Sequence, residues 1–170
     1  FLDTLNELIL SHSMDLCFCL HLLLTRLFNK LGTDLLNSVH SKIIKTLDNV
    51  FDVFPHDLQI QSVFRFLADP TQTPNNRVKV AALNYMIKLT SVVDPTAAFS
   101  SNNNSNKDYA TMALTKMISW TTADSIKSSA ELRKVSQEAV QALSDLNTSQ
   151  VTRRCPKYKN SESLSSVNNS

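Results

Sequence analysis

The sequence predicts an all-α fold, on the basis of its glycine content and the spacing of its apolar residues. Gly32 is the only glycine among the 170 residues. Tight β-hairpins depend on glycine, so an all-β fold is disfavoured. The loops that bind dinucleotides or phosphates need several glycines, so both are excluded. Apolar residues instead recur every three or four positions, as on one face of a helix. A chain of this length suits one domain that buries roughly 70% of its unfolded surface.

Charge and cysteine content indicate an intracellular protein without a nucleic-acid partner. The formal net charge is only +2, and the basic excess lies in the last twenty residues. Three cysteines cannot all pair, so we expect a reducing, cytoplasmic compartment. The longest apolar run, residues 16–24, is interrupted by His21 and is shorter than the ~20 residues of a membrane helix, so we expect no membrane partner. Because the chain opens on Phe1 without a start methionine or signal peptide, we expect a fragment.

The apolar spacing predicts two helices in the first thirty residues. The first ends near Ser13, and the second starts after Asp15, a candidate N-cap, and continues to about residue 30. Phe18 and Leu22 lie opposite the main apolar stripe of the second helix. A helix that is apolar on two sides is expected to be buried between neighbours.

The rest of the chain predicts five further helices and a polar tail. Gly32 is expected at the C′ position that ends the second helix. The predicted helices cover residues 33–54, 56–68, 75–93, 108–120 and 129–146, with loops at the prolines of residues 69–74 and at the asparagine- and serine-rich residues 100–106. We therefore expect a domain over residues 1–148. The serine- and asparagine-rich residues 149–170 are expected to be disordered and dispensable for folding.

Three of these helices align with one another as the second members of helix pairs. Their apolar stripes are Leu36, Val39, Ile43, Ile44 and Leu47; Val78, Ala81, Tyr85, Met86 and Leu89; and Leu132, Val135, Ala139, Val140 and Leu143. A helix pair every ~40–47 residues is typical of HEAT or armadillo repeats, which stack into a solenoid. The position after the first stripe residue holds Asn37, Lys79 and Arg133. A cation in a first helical turn opposes the macrodipole, so these residues indicate either a partner surface or ordinary solvated charges.

Six ordered segments carry a resemblance to a known family. Residues 31–36, 54–59, 71–74, 78–81, 120–122 and 145–148 together resemble a TOG domain of the CLASP (Mast/Orbit) family of microtubule-associated proteins, most closely the third. The resemblance covers about residues 1–148. It implies a HEAT array of about six repeats, from which this chain lacks the first and half of the second, including a first-loop tryptophan that Trp120 does not replace. It also implies that the loops within the repeats form one edge that contacts tubulin.

The resemblance implies a set of tubulin-binding candidates, one group for each loop. They are Lys30, Thr33 and Asn37 in the first loop, Arg77 and Lys79 in the second, and Lys127, Arg133 and Lys134 in the third. Family members favour rescue or suppress catastrophe of microtubules. The implied function is therefore a non-enzymatic module that binds tubulin or microtubules as a monomer, with no cofactor, at microtubule plus ends and the spindle.

Other functions have weaker support in the sequence. No serine, cysteine or threonine lies in a recognisable nucleophile motif, so we expect no enzyme. His12, Cys17, Cys19 and His21 form the only metal-like cluster, but C-x-C on a helix points the thiols ~200° apart, so no metal is expected. Trp120 is interpreted as a packing residue. The alternative function is a general HEAT scaffold that binds a peptide or helix on its concave face.

Overall fold

The computed structural model describes residues 1–69, 71, 75–99, 108–122 and 129–154, and it confirms the all-α prediction. Over these residues the chain forms eight α-helices and one short 3₁₀ turn, and no described residue lies in a strand. Their apolar side chains join into one core that extends from Ile9 to Leu146. The predicted loops at residues 72–74 and 100–106 lie outside the described residues.

The first two helices are divided differently from the prediction. Helix α1 spans Leu2–Leu16, a 3₁₀ turn spans Cys17–Cys19, and α2 spans Leu20–Thr33. Asp15 is therefore not an N-cap, because α1 continues past it. The expected break near Ser13 appears as a kink at His12, whose φ and ψ of −135° and 34° are not helical.

The next three helices follow the predicted spacing closely. Helix α3 spans Asn37–Val53, α4 spans His56–Ala68, and α5 spans Asn76–Thr90. Helix α3 stops before Pro55, since a residue that precedes proline disfavours the helical conformation. Helix α5 starts at a side-chain cap, because Asn75 Oδ1 accepts a hydrogen bond of 2.8 Å from Val78 N.

The last three helices include one that the sequence did not predict. Helix α6 is the short Pro95–Ala98, α7 spans Tyr109–Thr121, and α8 spans Ala130–Arg154. Asp94 and Asp108 cap α6 and α7 through the amides of Thr96 and Thr111. Helix α8 ends eight residues later than expected, because no proline or glycine interrupts the sequence between Ser129 and Pro156.

The helices pack in two layers, but α3 and α5 do not pack side by side as closely as the repeat alignment predicts. Helices α2, α4 and α7 pack consecutively in one layer, and α5 packs against α8 in the other. Helix α5 also packs closely on α2. It meets α3 mainly through side chains, with Lys88 Nζ 2.9 Å from Asp48 Oδ1 and the rings of Phe51 and Tyr85 6.1 Å apart.

Several apolar residues that were expected in the core are exposed instead. Phe18 is 88% exposed because the 3₁₀ turn removes it from the periodicity of α2, and Leu22 is 56% exposed on an open face of α2. Leu36 precedes α3, whose first helical residue is Asn37, and it lies outside the core. Ile44 is 50% exposed because the buried face of α3 is a narrow stripe that includes Ile43.

Gly32 does not have the expected C′ role. It lies inside α2, is buried, and no described residue has a positive φ. A Cβ atom built on Gly32 would lie 2.6 Å from Val78 N and 2.7 Å from Val78 Cα. The backbones of α2 and α5 therefore approach closely at Gly32, and a side chain of any size there would collide with α5.

A buried glutamine joins α3, α4 and α5. The side-chain amide of Gln59 donates to the carbonyl oxygens of Val50, Phe51 and Phe54 at 3.1, 3.1 and 2.7 Å, at the C-terminal end of α3. Val50 O also accepts a hydrogen bond of 3.1 Å from Phe54 N, so the amide adds to the few bonds that are formed at this helix end. Gln59 Oε1 in turn accepts a hydrogen bond of 2.5 Å from the Tyr85 hydroxyl.

Tyr85→Phe is expected to lower the free energy of unfolding by about 1–2 kcal/mol near pH 7, because Gln59 Oε1 then loses its donor in the core. Burial raises the pKa of Tyr85 well above its ordinary value. The folded state therefore keeps the proton while the unfolded state loses it above pH ~10, so the contribution of Tyr85 to stability declines as the pH rises beyond that value. Urea unfolding of the wild-type protein and of Tyr85→Phe at pH 8 and pH 10.5 measures this contribution. The difference between their free energies of unfolding should be smaller at pH 10.5 than at pH 8, and an equal difference at both pH values would contradict the prediction.

One described stretch, Leu2–Thr33, is long and apolar enough to cross a membrane by length and composition. The structure interrupts this stretch at the His12 kink and at the 3₁₀ turn. The α2 part of it also contributes Leu20, Leu24 and Phe28 to the core of the helical array. The stretch is therefore built into the domain as two separate helices.

Candidate functional site

Helix ends from both layers meet at one edge of the array, which we call the candidate edge. The end of α2 contacts the start of α5 through Gly32 and Val78. The start of α5 contacts the end of α7, where Lys79 Nζ lies 5.1 Å from the centroid of the Trp120 ring. The last turn of α4 joins them, because Lys116 Nζ donates to Ala68 O at 2.8 Å. The connections that follow α2, α4 and α7 therefore begin at this edge.

The lysines at the centre of the candidate edge are only partly solvated. Lys79 and Lys116 are both half-buried. Burial lowers the pKa of Lys79, and the positive charge of Lys116 lowers it further. Burial also lowers the pKa of Lys116, against an opposing influence of Asp69. The two ammonium groups are thus close enough to repel each other in a partly desolvated place.

Asp69 is held by its own turn. Its Oδ1 accepts hydrogen bonds from the amide and the hydroxyl of Thr71, at 2.8 and 2.7 Å, and these bonds lower the pKa of Asp69. The carboxylate therefore organises the beginning of the connection between α4 and α5. It forms no ion pair of 4.0 Å or less with Lys116 among the described residues.

The first group of predicted binding residues lies where α2 passes into α3. Lys30, Thr33 and Asn37 are all exposed there. Lys30 Nζ lies 2.8 Å from Asp34 Oδ2, and this contact lowers the pKa of Asp34. Thr33 Oγ1 donates to Asn29 O at 2.7 Å. Lys30 is thus already paired with a carboxylate, which leaves this group with less free positive charge than the sequence suggested.

The remaining predicted residues lie in the first turns of α5 and α8. Arg77 is exposed and Lys79 is half-buried in α5. Arg133 is half-buried and Lys134 is exposed in α8, which packs along α5. Lys134 Nζ lies 3.9 Å from Glu138 Oε1, a loose i,i+4 pair. Lys127 lies outside the described residues.

The sequence interpretation missed Lys116 as a member of the candidate edge. Trp120 packs against the core, as expected, and also contacts Lys79. Lys116 and Trp120 lie in the second half of α7, four residues apart, so they share one helix face. The repeat alignment compared only the second helices of each pair. The last turns of the first helices reach the same edge, and an alignment that included them would have found both residues.

A separate apolar groove of about 880 Å³ lies between α1, α2 and α3. Its apolar lining includes Leu2, Leu5 and Leu22, and Arg26 and Lys42 lie at its rim. The groove is formed by helix faces and lies apart from Lys79 and Trp120. It is the described feature that best fits an apolar peptide or helix.

Among the described residues, Cys17, Cys19 and His21 form contacts within the fold. Cys17 and Cys19 donate from Sγ to the carbonyl oxygens of Ser13 and Leu16 at 3.4 and 3.1 Å. Within the part of the chain that the structure describes, no three His, Cys, Asp or Glu side chains are placed to hold a metal ion. His21 is half-buried, and this burial lowers its pKa.

Comparison with known proteins identifies relatives over most of the chain. A CLIP-associating protein of Drosophila melanogaster is 43% identical over 152 residues, which are 89% of this chain and 10% of that protein. CLIP-associating protein 1 of Xenopus tropicalis and CLIP-associating protein 1-B of Xenopus laevis are each 40% identical over the same shares. The chain spans about a tenth of the length of the curated relatives it matches. No family model matches the chain.

Proposed function

Because this chain is a partial member of the CLIP-associating protein (CLASP) family, homologous to a segment of its proteins, we propose that it is a non-enzymatic module that binds tubulin or microtubules. The observation that carries the proposal is the half-buried Lys79 at the candidate edge, where helix ends and connections gather. The proposal includes correspondence to the third TOG domain of the family. It also includes promotion of rescue or stabilisation, a place at microtubule plus ends and the spindle, and a monomeric state.

The chemistry of the candidate edge supports an acidic protein partner. Arg77 and Lys79 in α5, and Arg133 and Lys134 in α8, are basic residues in first helical turns. The amide groups of a first turn carry positive partial charge, so they add to the attraction for carboxylates. Charges at the rim of an interface act mainly on association rate and specificity. We therefore expect a weak contact that depends strongly on ionic strength.

Reversing Lys79 and Arg133 to glutamate is expected to abolish the co-sedimentation of this chain with tubulin. The wild-type contact should also weaken steeply when the salt concentration rises from 50 to ~300 mM, because exposed charges are then screened over a few ångströms. Far-UV circular dichroism should show an intact fold. If the double variant still binds tubulin, the candidate edge is an ordinary solvated face that takes no part in binding.

A matched control is available on α3. Lys45 is exposed in the middle of that helix, away from the candidate edge. Lys45→Glu makes the same change of charge as Lys79→Glu and alters the net charge of the chain equally. Tubulin binding should be almost unaffected by Lys45→Glu. An equal loss of tubulin binding in Lys45→Glu and Lys79→Glu would indicate attraction by net charge alone.

The second candidate function is a general helical-repeat scaffold that binds a peptide or helix on its helix faces. The groove between α1, α2 and α3 favours it, because its lining is mostly apolar. Binding in such a groove is governed by burial of apolar surface and should change little with salt. The salt series therefore separates the two functions: insensitivity to salt together with tolerance of the double reversal supports the scaffold.

A further inference from the structure

Lys79, Lys116 and Trp120 form a cluster that combines two helices of the candidate edge. The Lys79 ammonium lies over the Trp120 ring at 5.1 Å from its centroid. Lys116 lies one turn before Trp120 on α7, and its ammonium is anchored to Ala68 O. A cation over an aromatic face is attracted to it without losing its charge. The ring therefore limits where the Lys79 charge can lie and leaves that charge available.

Within the described part of the chain, neither lysine forms an ion pair of 4.0 Å or less, although the charge of Asp69 acts on Lys116 from farther away. The ion pairs there involve Lys30, Lys42, Lys88 and Lys134, and neither Lys79 nor Lys116 takes part in one. Their lowered pKa values show that the folded protein holds both charges in an unfavourable environment. An anion bound beside them would offset the cost of their desolvation and their mutual repulsion.

Lys88, on the same helix as Lys79, also contacts an aromatic ring, and in addition it forms an ion pair with a carboxylate. Lys88 Nζ lies 4.0 Å from the centroid of the Phe51 ring and 2.9 Å from Asp48 Oδ1. Helix α5 thus carries two lysine–aromatic pairs, one near each end. The pair with Phe51 includes a carboxylate from this chain, whereas the pair with Trp120 has none among the described residues.

We propose that Lys79 and Lys116, with Trp120 as their floor, form an acceptor for the carboxylates of an acidic peptide segment. Trp120 acts as a positioning residue that holds Lys79 beside Lys116. The inference rests on the proposed function and deepens it, because it names the chemistry that the candidate edge recognises. It adds Lys116 and Trp120 to the residues that determine binding.

The test uses a glutamate hexapeptide as the probe and Trp120 as the reporter. Trp120 is the only tryptophan in the chain, so its fluorescence reports this cluster without labelling. Titration of the full chain with the peptide at ~20 mM salt should give a saturable change in that fluorescence. A peptide of alternating glutamine and serine should give none. A linear response, or the same response to the neutral peptide, would overturn the proposal.

Four substitutions within the cluster and one control at Lys88 test which residues bind the peptide. Lys79→Gln and Lys116→Gln should each weaken peptide binding about fivefold, the size of a contact of ~1 kcal/mol between partly exposed charges. Lys88→Gln should leave the affinity unchanged, since Asp48 already neutralises that lysine. Trp120→Phe should bind the glutamate peptide nearly as tightly as the wild type, and Trp120→Leu about fivefold more weakly. Because these two variants lack the tryptophan fluorophore, their affinities are measured from amide chemical shifts. Equal binding by the phenylalanine and leucine variants would leave Trp120 with only a packing role.

Tubulin binding by the same samples separates this inference from the proposed function. Peptide binding that follows the predicted order, without tubulin binding, would support the acidic-peptide acceptor and reject the proposed function. Tubulin binding that is unaffected by Lys116→Gln, with no peptide binding, would reject the acceptor and keep the proposed function.

Discussion

Met86→Asp is expected to lower the free energy of unfolding by about 5 kcal/mol and to leave much of the protein unfolded at 25 °C. Met86 is fully buried on α5, inside the core that α5 shares with α2 and α8. The substitution removes a large apolar side chain from the core and places a carboxylate there without a partner. Because the total stability of a domain is about 5–15 kcal/mol, one such change is comparable with the whole. Thermal unfolding followed by circular dichroism at 222 nm measures the effect.

Two control variants make this prediction specific. Ile44→Asp occupies the equivalent position in the repeat alignment, but Ile44 is half-exposed, so the cost should be within about 1 kcal/mol. Met86→Leu conserves volume and should cost less than about 1.5 kcal/mol. Equal destabilisation by the two aspartate variants would mean that Ile44 is as buried as Met86. A melting temperature unchanged by Met86→Asp would mean that the face of α5 is open.

The comparison of Met86 with Ile44 shows how far apolar spacing predicts a core. Periodicity identified the helices and the inward face of α5 correctly, because Met86 has neighbours on two sides in α2 and α8. It failed for Ile44, because an apolar stripe shows which face of a helix is apolar but not how many neighbouring helices pack against that face. Spacing also predicted a break near Ser13, which the structure shows as the kink at His12, but it did not predict the 3₁₀ turn at Cys17–Cys19. The short α6 was missed although Asp94 and Pro95 form a recognisable start.

The candidate site, like the core, was predicted only in part from the sequence. The alignment identified Lys79 from its position alone, and the structure places it at a meeting point of helix ends. The alignment could not show that Lys30 is paired with Asp34, or that Lys116 and Trp120 lie beside Lys79. The Lys30–Asp34 contact is a local i,i+4 pair, whereas the contacts of Lys116 with Ala68 and of Trp120 with Lys79 join residues 48 and 41 positions apart, about which sequence spacing carries no information. The sequence therefore singled out Lys79, the structure adds its neighbours Lys116 and Trp120, and the binding role of these residues stays a prediction.

Gly32→Ala is expected to destabilise the domain by about 3 kcal/mol, although alanine favours a helix interior by up to ~1 kcal/mol over glycine. The new Cβ would lie 2.3 Å from Val78 Cγ2 and 2.6 Å from Val78 N, so α2 and α5 would have to separate. The melting temperature should fall by about 6–12 °C.

The double variant Gly32→Ala with Val78→Ala shows which part of Val78 opposes the new methyl group. Truncation of Val78 removes Cγ2 but leaves the backbone N and Cα within 2.7 Å of the added Cβ, so it should not restore stability. Recovery to the stability of Val78→Ala alone would mean that only the side chain collides. Because Lys79 follows Val78 directly, separation of the helices should also shift Lys79 from the Trp120 ring and change the tryptophan fluorescence of the folded variant. Loss of stability with unchanged tryptophan fluorescence would show that Lys79 keeps its place on the Trp120 ring and that the helices separate elsewhere.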